Sequence, residues 1–214
     1  MRHDTDSSPV SQRRLPVAGA AAPLRADAQR NRTRVLEAAE RLFAERGVAD
    51  VSMDDVVAAA GVGKGTLYRS FGDKAGLAAA LLDERERDIQ GEMLDGSDAD
   101  RDPAERAVQF VQRYFDYVAD HLDLVEMSQA SGGRHRIGSH QVWQLHLSWL
   151  LRDAGVPLAE ADIRAGVLLA ALSAEQIRHW LETDGRARAD VRAALSDLTE
   201  MLMRVVSSGA SGHL

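Results

Sequence analysis

Cysteine is absent from this chain of 214 residues. Its absence excludes disulfide bonds, thiolate metal sites, a cysteine nucleophile and thiol redox switches. Lysine is nearly absent as well, since Lys64 and Lys74 are the only two and every other Lys or Arg position holds Arg. Apolar runs stay shorter than the roughly 18 residues that a membrane span needs, so we expect no membrane partner.

Composition is otherwise that of a soluble globular protein, with 45% apolar and 28% charged residues. The formal net charge is −7, but it is unevenly distributed. Residues 25–74 carry nine Lys or Arg against eight acids, whereas residues 75–214 carry fourteen Arg against twenty-three acids. Nucleic-acid binding by the first segment would therefore depend on individually placed contacts more than on bulk charge.

The stretch from Ser52 to Lys74 has the pattern of two short helices that meet at a sharp turn. Ser52 is a suitable N-cap, acidic residues follow in the first turn, and Gly61 ends the helix because glycine adopts the left-handed conformation at little cost. In the second helix Leu67 and Phe71 are four residues apart and face inward. The outward face then carries Lys64, Thr66, Tyr68 and Arg69. This layout predicts a DNA-binding helix-turn-helix.

Residues 52–82, together with the helix from about Asn31, resemble the DNA-binding domain of TetR-family transcriptional regulators, and the match rests on residues 60–74. The matching run is Ala-Gly-Val-Gly-Lys-Gly-Thr-Leu-Tyr-Arg-Ser-Phe-Gly-Asp-Lys. Two positions depart from the family pattern, since Gly63 stands where Ser or Thr is usual and Ser70 replaces a frequent aromatic residue or His. The resemblance implies a repressor that binds a palindromic operator in double-stranded DNA as a homodimer and is released by a small-molecule effector.

The expected DNA contacts fall into two groups. The side chains expected in the major groove are Lys64, Thr66, Tyr68 and Arg69. Those expected to bind phosphates are Thr33, Ser52, Tyr68 and Lys74, with Thr33 and Ser52 placed at helix N-termini.

An alternative is open for the same stretch, because Gly61-Val62-Gly63-Lys64-Gly65-Thr66 also resembles the phosphate loop of adenylate kinases. That loop follows a buried strand, whereas a helical pattern precedes Gly61 here. The rival functions are a P-loop-like nucleotide phosphotransferase and a helical ligand-binding protein without DNA binding. We favour a regulator that is not an enzyme, with no cofactor, catalytic residues or metal site. The histidines lack metal-ligand spacing, and the sequence has no Gly-x-Ser-x-Gly nucleophile elbow.

The chain is expected to be all-α, with about nine helices in two domains. We expect a disordered N-terminal arm over residues 1–24, a helix-turn-helix DNA-binding domain over 25–74, and an effector-binding and dimerisation domain over 75–214. Arg13-Arg14 before a short apolar run resembles an export signal, but the run is bounded by prolines and cytoplasmic retention is expected.

The first helix is expected over residues 27–46. Four residues, Arg30, Arg32, Thr33 and Arg34, would then crowd its first turns. Basic charge there opposes the helix dipole unless an anion such as a DNA phosphate compensates, and the alternative is a solvated basic face.

Further helices are expected from Lys74 towards Leu94 and over residues 104–120, 122–130, 137–153, 158–183 and 189–207. The run Asp83–Asp88 should cover the solvent side of the first of these helices. The polar loop over residues 95–103 is the best candidate for a domain boundary.

Seven of the ten aromatic residues lie between Phe110 and Trp180, on three predicted helices. They either fill the core or line a cavity for an apolar or aromatic small molecule, which His146 and Gln176 would orient. The candidate ligand-binding residues are Phe110, Tyr114, Met127, Trp143, His146, Leu147, Gln176 and Trp180.

The last predicted helix has a narrow apolar stripe formed by Val191, Leu195, Leu198 and Leu202. Such a stripe packs on other helices, either within the chain or across a twofold four-helix interface between subunits. We favour the dimer interface, because a helix-turn-helix needs a partner to read two half-sites about 34–36 Å apart.

Overall fold

The computed structural model describes residues 21–94, 100–130 and 137–204, and every regular element within them is a helix. The predicted all-α class is therefore confirmed. In chain order the helices are α1 Ala21–Arg46, α2 Met53–Ala60, α3 Lys64–Phe71, α4 Lys74–Leu94, α5 Pro103–Asp120, α6 Leu122–Gln129, α7 Ile137–Asp153, α8 Leu158–Ala171, α9 Ala174–Arg178, a π-helical turn His179–Thr183, and α10 Arg188–Met203. Within the described ranges, none of these helices is long and apolar enough to cross a membrane.

The described residues form two hydrophobic cores. The N-terminal core is built from α1, α2, α3 and the first half of α4, and Leu67 and Leu77 at its centre have 0% of their surface exposed. The C-terminal core is built from α5 to α10, with Phe115 at 0% exposure. Leu81 belongs to the first core and Leu82 to the second, so α4 passes from one core to the other.

Helix α6 also contacts both cores. Its Leu124 and Met127 pack against the N-terminal core. Its acidic side is bound by Arg178 of α9, whose guanidinium donates to the carboxylates of Asp123 and Glu126 at 2.6 Å each. Both α4 and α6 therefore contribute side chains to the two hydrophobic cores and connect them.

Helix α1 begins at Ala21, several residues before the predicted start at 27. The group formed by Arg30, Arg32, Thr33 and Arg34 therefore lies in the interior of the helix, where the dipole effect of the first turn has faded. The predicted conflict between basic charge and helix dipole was wrong for this reason. Residues 21–24 of the expected arm are helical, and residues 1–20 lie outside the described part of the chain.

Two other predictions about helices need correction. The segment 158–183 is interrupted after Ala171, because the Ser173 hydroxyl accepts the backbone N–H of Gln176 at 3.3 Å and caps a new helix, α9. The run Asp83–Asp88 does not lie wholly on the solvent side, since Glu86 is only 3% exposed and its carboxylate accepts a hydrogen bond from Tyr117.

Candidate functional site

Helices α2 and α3 form the helix-turn-helix that the sequence predicts. Gly61 joins them in the left-handed conformation, with φ of 62° and ψ of 38°. In α3, Leu67 and Phe71 are buried at 0% and 4% exposure, and this face holds α3 against α1, α2 and α4. The guanidinium of Arg32 lies 4.8 Å from the centre of the Phe71 ring and adds a contact from α1.

The opposite face of α3 is exposed. Lys64, Tyr68 and Arg69 are exposed on it, and Thr66 is half-buried. All four residues that were expected in the major groove are thus placed on one short helix of eight residues. An exposed helix of this length, anchored by its opposite face, has the shape that fits a DNA major groove.

Lys64 has a partner within the helix-turn-helix that the sequence did not indicate. Its ammonium lies 2.7 Å from one carboxylate oxygen of Asp54 and donates to the other at 2.9 Å. The hydrogen bond with Asp54 raises the pKa of Lys64. No pattern within either helix predicts this contact, because the two residues belong to different helices and meet only when the turn at Gly61 forms.

The side chains of Ser52 and Thr33, which are predicted to contact phosphates, both have hydrogen-bond partners within the chain. The Ser52 hydroxyl donates to the Asp55 carboxylate at 2.6 Å and accepts the Asp55 backbone N–H at 3.1 Å, so the start of α2 already holds an anion. The bonds from Ser52 lower the pKa of Asp55. Thr33 does not lie at a helix N-terminus, and its hydroxyl donates to the carbonyl of Gln29 at 3.2 Å.

Lys74, at the start of α4, is half-buried and donates from its ammonium to the carbonyl of Ala49 at 3.0 Å. This bond ties α4 to the loop that joins α1 and α2. Lys74 is still predicted to contact a phosphate. In the free chain, however, its ammonium bonds the loop that leads into α2.

The Gly61–Thr66 stretch does not have the setting of a phosphate loop. It joins helix α2 to helix α3, whereas a phosphate loop follows a strand. The described residues also include no group of three His, Asp or Glu side chains that could hold a metal ion.

The C-terminal core contains a packed cluster of aromatic rings from α5 and α7. The ring centres of Phe110, Tyr114 and Trp143 lie 5.4 to 5.8 Å apart, and His146 is 5.4 Å from Phe110. Trp143 has 0% exposure, yet its indole N–H has no hydrogen-bond partner, the one such side-chain group among the described residues. Leu147, also fully buried, belongs to the same core.

The other three candidate ligand residues lie apart from this cluster. Met127 packs against the N-terminal core, and Gln176 is half-buried near the start of α9. Trp180 lines a groove of about 360 Å³ between the π-helical turn and α10. The structure therefore brings together five of the eight residues.

His146 is held in its neutral form by its surroundings. Burial, followed by the nearby positive charge of Arg106, lowers the pKa of His146 from 6.5 to about 4. The folded chain thus binds this proton less readily than the unfolded chain. Folding stability that depends on neutral His146 is present above pH 6.5 and is lost as the pH falls towards 4.

We therefore expect His146→Gln to reduce the acid sensitivity of folding, because glutamine cannot take up this proton. Urea unfolding at pH 7 and pH 5 measures the effect. His140→Gln, at an exposed position on α7, is the matched control and should lose stability as the wild type does. If His146→Gln loses as much folding stability between pH 7 and pH 5 as the wild type does, His146 is not responsible for the acid sensitivity.

The apolar stripe of α10 is used within the chain. Val191 and Leu195 are 7% and 3% exposed because they pack in the C-terminal core, where α10 contacts α5. They therefore have little exposed surface for the predicted subunit interface. Leu198 and Leu202 are only half-buried but pack against the same core.

A different apolar surface is exposed on α7 and α8, which pack as an antiparallel hairpin. Gln144 of α7 donates to the carbonyl of Asp162 in α8 at 2.7 Å, which identifies the contact line. Leu145 directly follows Gln144, and Ile163 directly follows Asp162. In two antiparallel helices, the residues that follow a facing pair are both rotated by about 100° to the same side of the helix pair, so Leu145 and Ile163 point the same way. They are 69% and 68% exposed.

Other large apolar residues exposed on these two helices are Val142, Trp149, Leu158 and Val167. Val142 and Trp149 lie three or four residues from Leu145, and Val167 lies four residues from Ile163, so these five residues share one side, which we call the outer hairpin face.

Comparison with known proteins agrees with this architecture. Residues 35–81 match a family model described as bacterial regulatory proteins of the tetR family. An HTH-type transcriptional regulator of Staphylococcus aureus (strain USA300) is 44% identical over 66 residues, which are 31% of this chain and 35% of that protein. The chain thus aligns with about a third of the length of this relative.

Solved structures extend the similarity beyond the N-terminal domain. A TetR-family transcriptional regulator from Pectobacterium atrosepticum is 26% identical with a TM-score of 0.62, over 84% of this chain and 95% of that one. Thermus thermophilus FadR, a TetR-family repressor solved with lauroyl-CoA, is 20% identical with a TM-score of 0.66, over 85% and 100%. The resemblance inferred from residues 60–74 is confirmed.

Proposed function

Because the chain carries the helix-turn-helix and shares the fold of TetR-family transcriptional regulators, we propose that it binds a palindromic DNA operator as a homodimer and represses transcription in the cytoplasm. The observation that carries this proposal is α3, which is anchored by Leu67 and Phe71 and exposes Lys64, Tyr68 and Arg69. Thr66 is placed beside them at the edge of the exposed face.

Selection from a pool of random duplexes tests this proposal. We expect purified protein to enrich a palindrome whose half-sites are about 34–36 Å apart, one helical turn or a multiple of it. A pool that stays unenriched would contradict DNA binding and favour a helical ligand-binding protein. The same preparation should show no binding of ATP by calorimetry, because a phosphate-loop kinase is the other rival.

Arg69 is the proposed base-reading residue, since the bidentate contact of Arg with a guanine edge is the commonest specific contact in the major groove. Arg69→Ala should weaken binding to the selected operator by about 1–3 kcal/mol and relax the preference at one position of each half-site. Arg41→Ala, which removes an exposed Arg from α1, is the control and should return the original sequence. An identical sequence logo from Arg69→Ala would remove Arg69 from readout.

The homodimer is proposed to form through the outer hairpin face and not through α10. This surface is exposed in the single chain, whereas Val191 and Leu195 of the α10 stripe are buried within their own chain. Two copies related by a twofold axis would place two α7–α8 hairpins face to face as a four-helix bundle.

A small-molecule effector is proposed to bind at the aromatic cluster and release DNA. The buried indole N–H of Trp143 supports this site, because an acceptor atom on a ligand would satisfy it. FadR of Thermus thermophilus, with its bound lauroyl-CoA, gives further support, since a protein of this fold accommodates an acyl thioester. Tyr117 connects the aromatic cluster to α4, because its hydroxyl donates to the Glu86 carboxylate at 3.1 Å. Ligand binding at the cluster would therefore tilt α4, and the tilt of α4 would move α3. A coupling of about 1–3 kcal/mol is sufficient.

A further inference from the structure

The exposed carboxylate of Asp54 bonds the first residue of α3, the helix that we propose enters the DNA groove. It bonds the Lys64 ammonium at 2.7 and 2.9 Å, although both side chains are more than 60% exposed. Asp54 stands in the first turn of α2, and Lys64 is the first residue of α3. The pair therefore bridges the two helices of the motif on its solvent side.

Asp54 is not required for capping α2. The capping box is made by Ser52 and the neighbouring Asp55, which also lies 3.7 Å from Arg46. The ammonium of Lys64 also lies 5.9 Å from the ring centre of Tyr68, so this ion pair sits beside a second exposed residue of α3. A carboxylate and a phosphate oxygen are both acceptors for an ammonium, and Lys64 offers one cationic head group at this site.

We propose that Asp54 competes with DNA for Lys64: it holds the ammonium in the free protein and must release it when α3 enters the groove. This inference rests on the proposed function. It identifies Asp54 as a residue that limits the affinity of the protein for DNA. Asp54 weakens binding to every duplex, because the bond to Lys64 is broken whatever the base sequence. It also lowers the number of counterions that binding releases, since Lys64 is already neutralised.

Asp54→Asn tests the proposal because it removes the charge and keeps the shape of the side chain. We expect affinity for the selected operator to rise about two- to fivefold at about 0.1 M salt, the range for an exposed ion pair. Under this proposal the ammonium of Lys64 neutralises one phosphate at the edge of the groove, so the slope of log K against log salt should become steeper by about 0.9. Circular dichroism of the variant verifies that α2 remains folded.

Two further variants separate this mechanism from a general charge effect. Asp50→Asn makes the same charge change in the turn before α2, and its effect should be smaller and independent of Lys64. In a Lys64→Met background the gain from Asp54→Asn should disappear. A gain that persists there, or that equals the gain from Asp50→Asn, overturns the competition.

The possible failures are distinguishable. If Asp54→Asn lowers operator affinity, Asp54 positions Lys64 for DNA and the inference is overturned while the proposed function stands. If wild-type protein binds DNA and Asp54→Asn leaves both affinity and salt slope unchanged, the inference alone is overturned. If wild-type protein retains no duplex at all, the proposed function is overturned and this inference with it.

Discussion

The double substitution Leu145→Glu and Ile163→Glu is expected to convert the protein into folded monomers. Both side chains are about two-thirds exposed in the single chain, at 69% and 68%, so the substitutions do not disturb its core. In a dimer joined by the outer hairpin face, four carboxylates would be buried close together, and burial of unpaired charge is strongly unfavourable. Sedimentation velocity measures the loss of the dimer, and circular dichroism verifies the helical fold.

Operator binding should fall together with dimerisation. Two linked α3 helices bind with an effective concentration that single copies lack, so loss of the partner should reduce affinity by about 100-fold or more. Met201→Glu is the matched control, because Met201 is a large apolar residue that is 59% exposed on α10. It should leave the dimer intact. Monomers from Met201→Glu, with a dimer surviving in the double variant, would return the interface to α10.

The helix-turn-helix could be predicted from the sequence because each of its signals is local. The Ser52 cap, the acidic first turn, the Gly61 stop and the inward pair Leu67 and Phe71 all act within a few residues of their own helix. The structure places each of them as expected. The fold class followed for the same reason, since helical periodicity is a local property.

The exposed apolar surface on α7 and α8 could not be predicted in this way. An apolar stripe indicates that a helix face is covered, but not whether the cover comes from the same chain or from another. Val191 and Leu195 are covered by their own chain, whereas Leu145 and Ile163, which also lie in apolar stretches of their helices, are exposed. Only the packing of α7 on α8 reveals which apolar residues remain outside.

Contacts between helices were missed for a related reason. Asp54 meets Lys64, Arg178 meets Asp123 and Tyr117 meets Glu86 across separate helices, and no single-helix pattern encodes such pairs. The break at Ser173 is different, because a local signal was present. Ser173-Ala174-Glu175-Gln176 has the Ser-x-x-Gln pattern of a helix start, and the long apolar period around it concealed that signal.

The stability of a Trp143 variant tests whether the aromatic cluster is a packed core or borders an open cavity for an effector. Its side chain is fully buried, with ring centres of Phe110 and Tyr114 at 5.7 and 5.4 Å, so Trp143→Ala should reduce the free energy of unfolding by about 3–5 kcal/mol. Urea unfolding measures this loss. Met201→Ala is the matched control, because Met201 is a large apolar residue that is 59% exposed on α10 and lies outside the outer hairpin face, so its loss should be at most about 0.5 kcal/mol. A small loss for Trp143→Ala would mean that the ring borders an open cavity.

Trp143→Phe then separates the ring from its N–H. Phenylalanine retains most of the apolar contacts, and it removes a buried donor that has no partner among the described residues, a group that costs about 1–3 kcal/mol when left unsatisfied. These effects oppose each other, so the stability of the variant should stay within about 1.5 kcal/mol of the wild type. Release from the operator by the effector should nevertheless weaken, because the ligand loses its hydrogen-bond donor. If the effector releases Trp143→Phe from DNA as readily as the wild type, the indole N–H is an unsatisfied core group and the effector binds elsewhere.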